Sequence, residues 1–412
     1  MVETADGPAR GVEFYIPHKA VIRESAETTK LRIVYDASAR ANPARAQQCK
    51  ERAMEIFEDA TFRLHKWNSN VKELEMNNDP PGDREEPTYG KQQFGGKPTE
   101  TKMLGLKWNK EMDTLTVSFP HANNNSAITK RGILSTLAKI YDPLGLVSPV
   151  TLEGKLIYRD VCKIKVPWDT EIQGPCRRRW LAWEKTLPKE KTVPRPIVEH
   201  KEVVLSLELH AFGDASANGV GAVVYSVVRQ NGGSTQRLVS VKARLAKEGL
   251  TIPRLELVSA HMAANLVTNV RNALQGLPEL TIYGWLDSTV ALHWLSGNGK
   301  YKQFVTNRVS KIKQHKEIKW RHVPTLDNPA DLASRGESLS ETPLWWNGPG
   351  WLNNPCATVI RRIGSGSQVD PRGLVRSTHS ERAQRLRSTV AEAQPSLHST
   401  NRRVDCEIHA QL

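Results

Sequence analysis

The stretch that most constrains the fold is residues 203–245, where three apolar runs follow one another. In VVLSLELHAFGDAS, apolar residues occupy every second position from 203 to 211, which is typical of a β-strand. The run VGAVVYSVV comes after the turn former Asn218-Gly219, so the two runs predict a hairpin. RLVSVKARL adds a third antiparallel strand, and Asp214 stands at the end of the first.

The sequence after the hairpin predicts helices that alternate with strands. TIPRLELVSAHMAANLVTNVRNAL has Pro253 near a helix start, and its apolar stripe comprises Leu255, Val258, Met262, Leu266 and Val270. TIYGWLDS predicts a strand that ends at Asp287, and IKWRHV predicts another. TVALHWLS, YKQFVTNRVSKIKQH and NPADLASRG predict helices, the last of which carries Asp331. The fold class is therefore α/β, with a mixed sheet flanked by helices.

Three segments have a composition that predicts little regular structure. Residues 76–101 are rich in turn formers and charges, which is typical of a mobile loop. Residues 185–201 contain several prolines and predict a linker. Residues 357–412 have no Trp, Tyr or Phe and are rich in Ser and Arg, so we expect a disordered basic tail.

The charge balance points to a polyanionic partner. Lys and Arg number 58 against 44 Asp and Glu, and the formal net charge is +14. Nucleic acid is the natural candidate, because a basic protein gains from counterion release. The alternative is that the charge only maintains solubility. The 5 cysteines are widely spaced, and the sequence has no long apolar stretch, so we expect an intracellular protein, cytoplasmic or nuclear, without membrane contact.

Four carboxylates lie at places where a scaffold presents side chains to a shared site. They are Asp214, Glu256, Asp287 and Asp331. Hydrolysis of a phosphodiester is favoured by two divalent cations held by several carboxylates, and Mg2+ prefers oxygen ligands. Taken singly, each residue is more typical of a structural position, since Asp and Ser in strings such as GDAS and LDST are ordinary helix caps and turn residues. Their order and placement together predict a site for two Mg2+ or Mn2+ ions.

Long motifs in both halves resemble one known family. GDASANGVGAVVY, TIPRLELVSA, WLDSTVALHWL, WRHVPTLDNPADLASRG and LWWNGPGWL resemble the ribonuclease H-like region of Pao-type (BEL/Pao) long-terminal-repeat retrotransposon polyproteins. Upstream, YIPHKAVIRESAETTKLRIVYDASA resembles the fingers of their reverse transcriptase, FRLHKWNSN the stretch after its active site, and TKRGILSTLAKIYDPLGLVSP its connecting region. The resemblance spans roughly residues 12–352.

The resemblance implies a domain organisation. Residues 1–75 correspond to a partial reverse-transcriptase remnant, 102–184 to a connection-like region and 202–336 to a ribonuclease H-like domain. Residues 337–356 form a Trp-rich extension. The metal-binding carboxylates of the family carry over to Asp214, Glu256, Asp287 and Asp331, with Asp327 as the alternative to Asp331 because the preceding loop is short. His322 corresponds to a loop histidine that assists some ribonucleases H, or is a plain strand-end histidine.

The polymerase palm of the family is missing. The sequence has no Tyr-x-Asp-Asp, and only about ten residues separate VYDASA from QQCKERAMEIFED, which resembles sequence downstream of the palm. Asp36 of the first DASA string is therefore expected to lack a metal partner, and Arg23, Lys30 and Arg32 to be solvated charges. We expect no DNA synthesis by this chain alone, and interpret it as a decayed polyprotein copy or a gene model spliced across a deletion.

These observations favour a ribonuclease H-type endonuclease that binds RNA/DNA hybrid and hydrolyses its RNA strand. The basic residues expected to contact phosphate are Lys242, Arg244, Lys247, Arg308, Lys311 and Lys313. Other retroelement polyprotein products are further candidate partners. One alternative is a nucleic-acid-binding remnant without catalysis, and another is the unfolded product of a pseudogene. A transposase-type integrase is a weaker alternative, because its usual carboxylate order is Asp, Asp, Glu.

Overall fold

The structure is a computed structural model of the 412-residue chain. It describes residues 18–22, 31–35, short stretches between 47 and 69, 100–103, 105–120, 127–199, 202–274, 280–336 and 342–353. The predicted basic tail at 357–412 and all of the predicted loop before Glu100 lie outside the described residues. So do Asp36, Arg23 and Lys30.

The first predicted region contains a two-stranded hairpin. Strand β1 (His18–Ile22) pairs antiparallel with β2 (Leu31–Tyr35), with His18 opposite Tyr35. Arg32 lies in β2. The resemblance of this region to reverse-transcriptase fingers stays a prediction.

A four-stranded antiparallel sheet follows. Its strands are β3 (Glu100–Met103), β4 (Leu106–Asn109), β5 (Thr114–Ser118) and β6 (Glu190–Pro194), paired in that order. Strand β6 lies inside the segment that the prolines predict to be a linker, and the structure differs there. Because β6 is at the edge of the sheet, Pro194 is tolerated without the backbone N–H that a central strand needs.

Three helices connect β5 to β6. They are α1 (Lys130–Lys139), α2 (Ser148–Lys163) and α3 (Gly174–Thr186). Thr129 caps α1, since its side chain accepts a hydrogen bond from the Gly132 N–H at 3.0 Å. Pro149 lies in the first turn of α2, where its missing N–H has no cost.

The remaining elements form a five-stranded mixed sheet with helices. In chain order they are β7 (Ser206–Ala215), β8 (Gly219–Gln230), β9 (Gly233–Leu245), α4 (Ile252–Ala273), β10 (Leu280–Leu286), α5 (Thr289–Ser296), α6 (Gln303–Lys313), β11 (Ile318–His322), α7 (Ala330–Arg335) and α8 (Pro343–Asn347). The strand order is β11-β10-β7-β8-β9. Strand β10 is parallel to β7 and β11, and β8 is antiparallel to both of its neighbours. This confirms the mixed α/β architecture.

Each face of this sheet is covered by a different set of elements. One face packs against α4, α5 and α6, around buried residues such as Leu209, Leu257 and Val267. On the other face, Phe212, Val223 and Trp285 belong to the same apolar cluster as residues of β4, α2 and α3. The connection-like region and the predicted 202–336 domain therefore share a core instead of forming one each.

The Trp-rich extension completes the second face. Trp345 of α8 is fully buried, and its indole Nε1 donates to the Leu146 carbonyl at 2.9 Å. The Tyr225 hydroxyl of β8 donates to the Trp345 carbonyl at 2.5 Å. Trp351 packs edge-on against Trp285, with ring centroids 4.7 Å apart. Residues 342–353 thus bind the sheet to the loop before α2.

Candidate active site

The strand directions bring the carboxylates to one edge of the five-stranded sheet. Strands β7, β10 and β11 run parallel, and Leu286 of β10 lies opposite Gly213 on one side and His322 on the other. Asp214 comes directly after Gly213, Asp287 comes directly after β10, and the chain reaches α7 soon after β11. The carboxyl ends of parallel strands form the usual binding edge of an open α/β sheet.

Asp214 is the most buried of the four carboxylates, with 6% of the residue exposed. One of its carboxylate oxygens, Oδ2, accepts a hydrogen bond from the Ser334 hydroxyl of α7. The pKa of Asp214 rises to about 7, mainly because of burial and then because of the negative charges of Asp287 and Asp331, against the effects of Ser334 and Arg335. The carboxyl is therefore easily protonated unless a cation balances its charge.

A glycine in β8 allows α7 to approach Asp214. Gly221 lies opposite Asp214 in the register, and a Cβ atom at this position would lie 2.8 Å from Ala333 Cβ and 2.9 Å from the Ala330 carbonyl oxygen. A side chain would displace the helix. The Gly-Val-Gly of the second strand is thus a structural requirement for bringing Ser334 and Asp331 to the site.

Glu256 reaches the same edge from the opposite face of the sheet. It lies near the start of α4, and its Oε2 accepts a hydrogen bond from the Ser288 hydroxyl. Ser288 also caps α5 by accepting from the Ala291 N–H at 3.1 Å. Burial raises the pKa of Glu256, and the charge of Asp287 raises it further. Burial is likewise the main cause of the raised pKa of Asp287, with a contribution from Asp331.

Asn328 supports the site, although its amide was not among the residues predicted to act there. It is 1% exposed; its Nδ2 donates to the Gly213 carbonyl at 3.2 Å, and its Oδ1 accepts from the Ala330 N–H at 3.2 Å. Its side chain also hydrogen-bonds Asp287. The Asn-Pro-Ala-Asp string at the start of α7 is the sequence signal that was available for this role.

The structure distinguishes the two candidates for the fourth carboxylate. The negative charge of Asp331 raises the pKa values of Asp214 and Asp287. Its Oδ1 accepts a hydrogen bond from Arg335 Nε at 2.5 Å. Asp327 accepts from the Trp351 indole at 3.2 Å instead. The geometry therefore favours Asp331, which is the residue that the family pattern predicts.

The donor set suits a hard divalent cation, although it is not preassembled around one. All four side chains offer carboxylate oxygens as ligands. Their negative charges repel one another, and a bound cation would neutralise those charges. Among the described residues, no group of three or more His, Cys, Asp or Glu side chains is arranged to hold a metal ion. Hydrogen bonds already engage all four carboxylates: Ser334, Ser288 and Arg335 donate to three of them, and Asn328 hydrogen-bonds Asp287.

Two of the predicted phosphate contacts, Lys242 and Arg244, lie at the same edge of the sheet as the carboxylates. They lie on the face opposite to that of Asp214. Strand β9 runs in the direction of β7, and Asp214 aligns with Gly221 and then with Ala243. Lys242 and Arg244 flank Ala243, so their side chains project from the face that α4 covers. Burial and then the nearby charge of Arg244 lower the pKa of Lys242.

The basic residues of α6 separate into two groups. The Arg308 guanidinium lies 3.7 Å from the centroid of the Phe304 ring, which Arg254 of α4 also approaches at 5.4 Å. Burial lowers the pKa of His261 on α4, and the charges of Lys311 and Arg308 lower it further. These residues form a positive surface across α4 and α6.

Lys313 and His322 do not join that surface. Lys313 points elsewhere and donates to the Gly297 carbonyl at 2.8 Å. His322 is half-buried at the end of β11. Lys247 is exposed in the loop after β9. The structure thus brings the four predicted carboxylates to one edge, whereas it distributes the predicted nucleic-acid contacts over several places.

The comparison with known families agrees with this geometry. Residues 129–288 match the model of the Pao retrotransposon-like RNaseH-like domain. The match begins at the residue that caps α1, so it includes the three helices that share a core with the five-stranded sheet. It covers Asp214, Glu256 and Asp287, and ends before Asp331.

Solved structures with similar chains include two cellular ribonucleases H. The N-terminal RNase H domain of Rv2228c from Mycobacterium tuberculosis is 17% identical, with 31% of this chain and 90% of that chain covered and a TM-score of 0.23. RNase H1 from the halophilic archaeon Halobacterium salinarum NRC-1 is 14% identical, with coverages of 30% and 90% and a TM-score of 0.20.

A retroviral structure covers more of this chain. The foamy viral protease-reverse transcriptase in complex with dsDNA is 12% identical, with 55% of this chain and 45% of that chain covered and a TM-score of 0.33. No curated protein is significantly similar to the chain. The fold assignment depends on the strand order and on the family match, because these TM-scores are low. Within the described residues, no helix has the length and apolar character needed to cross a membrane.

Proposed function

We propose that this chain is a retroelement-derived nuclease of the ribonuclease H type, which binds RNA/DNA hybrid and hydrolyses the RNA strand. The observation that supports the proposal is the convergence of Asp214, Asp287 and Asp331 at one sheet edge, where burial and then the charges of Asp287 and Asp331 raise the pKa of Asp214 to about 7. A purely structural edge gains nothing from such repulsion. Perturbed carboxylates that share a cleft are typical of functional sites.

Each carboxylate has a distinct place in the proposed site. Asp214 and Asp287, at the ends of adjacent parallel strands, would be the central ligands for two Mg2+ or Mn2+ ions, and Glu256 and Asp331 would bind from opposite faces of the sheet. When bound, such ions activate a water molecule and stabilise the leaving oxygen of a phosphodiester. Asn328 holds the Asp287 side chain, and Ser334 and Ser288 keep Asp214 and Glu256 turned towards the site.

Nucleic acid would be bound by the basic residues around this edge. Arg308 and Lys311 belong to the positive surface across α4 and α6, and Lys242 and Arg244 lie at the end of β9. Contacts to phosphate and to the 2'-hydroxyl of RNA are sufficient to recognise a hybrid by shape. Lys313 and His322 are proposed as peripheral contacts, and other products of a retroelement polyprotein as further partners.

The test is cleavage of a hybrid with a labelled RNA strand by the full chain, in Mg2+ and in Mn2+. We expect cleavage that Asp214→Asn and Asp287→Asn each reduce at least 100-fold, a loss typical of a group that acts in the transition state. Asp169→Asn is the matched control, because Asp169 forms an exposed ion pair with Arg131 outside the site. Equal cleavage by all three variants would show that a contaminating nuclease is responsible.

A nucleic-acid-binding remnant without catalysis is the second candidate. It is favoured by the finding that three carboxylates are already engaged by Ser334, Ser288 and Arg335, and that the described residues contain no group arranged to hold a metal ion. In this case the folded chain binds hybrid in a gel-shift assay, but cuts it in neither ion. The same two assays on one preparation distinguish the candidates.

A further inference from the structure

Arg335 is placed at the carboxylate site by the end of α7. The helix begins at Ala330 and stops at Arg335, because Gly336 adopts a positive φ of 82°. Arg335 lies four positions after Asp331, so their side chains lie on the same face of the helix. Arg335 Nε donates to Asp331 Oδ1 at 2.5 Å. The Arg335 side chain is 56% exposed and the Asp331 side chain 24% exposed.

This guanidinium also acts on Asp214. It opposes the rise in the pKa of Asp214 that burial and the charge of Asp287 cause. The neighbouring Ser334 donates to Asp214. Helix α7 therefore brings three groups to one site: the Asp331 carboxylate, the Ser334 hydroxyl and the Arg335 guanidinium. The guanidinium occupies an oxygen of Asp331 that a metal ion would need.

We propose that Arg335 exchanges between two partners: Asp331 when the site holds no divalent ion, and a backbone phosphate of the nucleic acid when it does. The proposal depends on the function proposed above, because it needs the same carboxylates to bind ions. A divalent cation and a guanidinium compete for the same oxygen and repel each other. The Asp331–Arg335 ion pair, with its exposed guanidinium, contributes little to stability, so little free energy opposes its replacement by a divalent ion.

The released side chain is suited to phosphate. Its planar fork of N–H donors matches two oxygens of a phosphodiester, and it stays charged at every accessible pH. Its exposure at the rim of the site lets it turn towards a bound strand without rearrangement of α7. The exchange would make ion binding and nucleic-acid binding cooperative. The metal ion releases Arg335 for contact with phosphate, and the phosphate holds Arg335 away from the oxygen that the ion binds.

The first measurement is calorimetric binding of Mn2+ to the full chain without nucleic acid. If Arg335 competes with the ion, Arg335→Gln should bind Mn2+ about fivefold more tightly than the unsubstituted chain. Arg335→Lys keeps the charge and loses the fork, so its affinity should fall between the two. Arg271→Gln is the matched control; Arg271 pairs with Glu317 near the end of α4, and its loss should leave Mn2+ binding unchanged.

The second measurement is hybrid binding across a series of salt concentrations, in Ca2+. Loss of one phosphate contact should reduce the slope of log K against log salt by about 0.7 to 0.9 in Arg335→Gln. The slope should be unchanged in Arg271→Gln. Thermal unfolding of every variant establishes that a change in binding is not a change in folding.

The outcomes separate this proposal from the proposed function. If the unsubstituted chain binds Mn2+ and Arg335→Gln binds it equally well or less well, the exchange is wrong and the metal site stands. If the unsubstituted chain binds no Mn2+, both ideas fail together. Tighter Mn2+ binding together with a reduced salt slope supports the exchange, and an unchanged slope excludes the phosphate contact.

Discussion

The two faces of the five-stranded sheet are covered in different ways. Helices α4, α5 and α6, which cover one face, come from the segment that immediately follows the hairpin. The other face is covered by α1 to α3, which precede the sheet, and by residues 342–353, which follow it. One face is therefore built locally and the other from distant parts of the chain. A domain boundary at residue 202 therefore separates the second face of the sheet from helices α1 to α3, which cover it.

Removal of the distant cover should have the largest effect. A fragment of residues 202–336 leaves apolar side chains such as Phe212, Val223 and Trp285 without their partners from α2, α3 and α8. We expect this fragment to aggregate or to lack a cooperative unfolding transition by circular dichroism, because exposed apolar patches of this kind are not tolerated. Residues 100–353, which retain both covers, serve as the control.

A cooperative transition in the shorter fragment would contradict the comparison. It would show that the second face is stable without its cover, and that the packing of the connection-like region is incidental.

Single substitutions test whether both faces contribute equally to stability. Trp345→Ala truncates the distant cover, and Leu257→Ala truncates the local one; both residues are fully buried. Each should lower the free energy of unfolding of the full chain by about 3 to 5 kcal/mol, measured by denaturant titration. A loss below 1 kcal/mol for Trp345→Ala alone would show that the Trp-rich extension only rests on the sheet.

The carboxylate edge, where both faces meet, should make stability depend on pH. The pKa of Asp214 is about 7 in the folded chain and about 4 in an unfolded one. Between these values the folded state binds more protons, so the free energy of unfolding should fall as the pH rises from 4 to 7. Without divalent ions the fall attributable to Asp214 is on the order of 3 kcal/mol.

Asp214→Asn should flatten this dependence, and it should be measured in a chelating buffer to keep the site free of ions. The raised pKa values of Asp287 and Glu256 leave part of the fall in place. Asp169→Asn, whose carboxylate is exposed, should leave the profile as it is. An Asp214→Asn profile identical to that of the unsubstituted chain would falsify the assignment of a strained carboxyl to this position.

The smallest effect is expected at a buried hydroxyl on the locally covered face. Ser226 of β8 is fully buried opposite Leu209, and its Oγ has no hydrogen-bond partner within the described structure. Ser226→Ala should change the free energy of unfolding by no more than about 0.5 kcal/mol, or raise it slightly. Ser259→Ala is the comparison, because the Ser259 hydroxyl donates to the Glu256 carbonyl at 2.7 Å. Its loss should cost about 1 kcal/mol.

The strands and the convergence of carboxylates were accessible from the sequence. Period-two alternation identified β7, and Pro253 located the first turn of α4. Because parallel strands place their carboxyl ends at the same edge, residues at those ends were expected to meet, and Asp214 and Asp287 do so. The buried stripe of α4 was predicted less well; Leu257, Ala260 and Val267 are fully buried, while Val258 and Leu266 are only partly so.

The partners of the carboxylates were not accessible. Ser334 and Ser288 have the sequence context of ordinary helix residues, and their hydrogen bonds to Asp214 and Glu256 depend on where α7 and α5 pack. The prolines in and around β6 indicated a linker. The strand was missed because its pairing depends on a distant neighbour, as for Thr192, which pairs with Thr116, 76 residues away.

The sequence alone therefore determined the class of fold and the order of the elements from β7 to α7, and it predicted the four acidic residues, because periodicity and strand direction are local properties of the chain. The tertiary structure placed the charge of Asp331 near Asp214 and Asp287, placed the Asp327 carboxylate against Trp351, and packed α2 and Trp345 into the core. These outcomes depend on contacts between segments far apart in sequence. Their free energies arise from burial and charge in the assembled fold, and no pattern within a single segment encodes them.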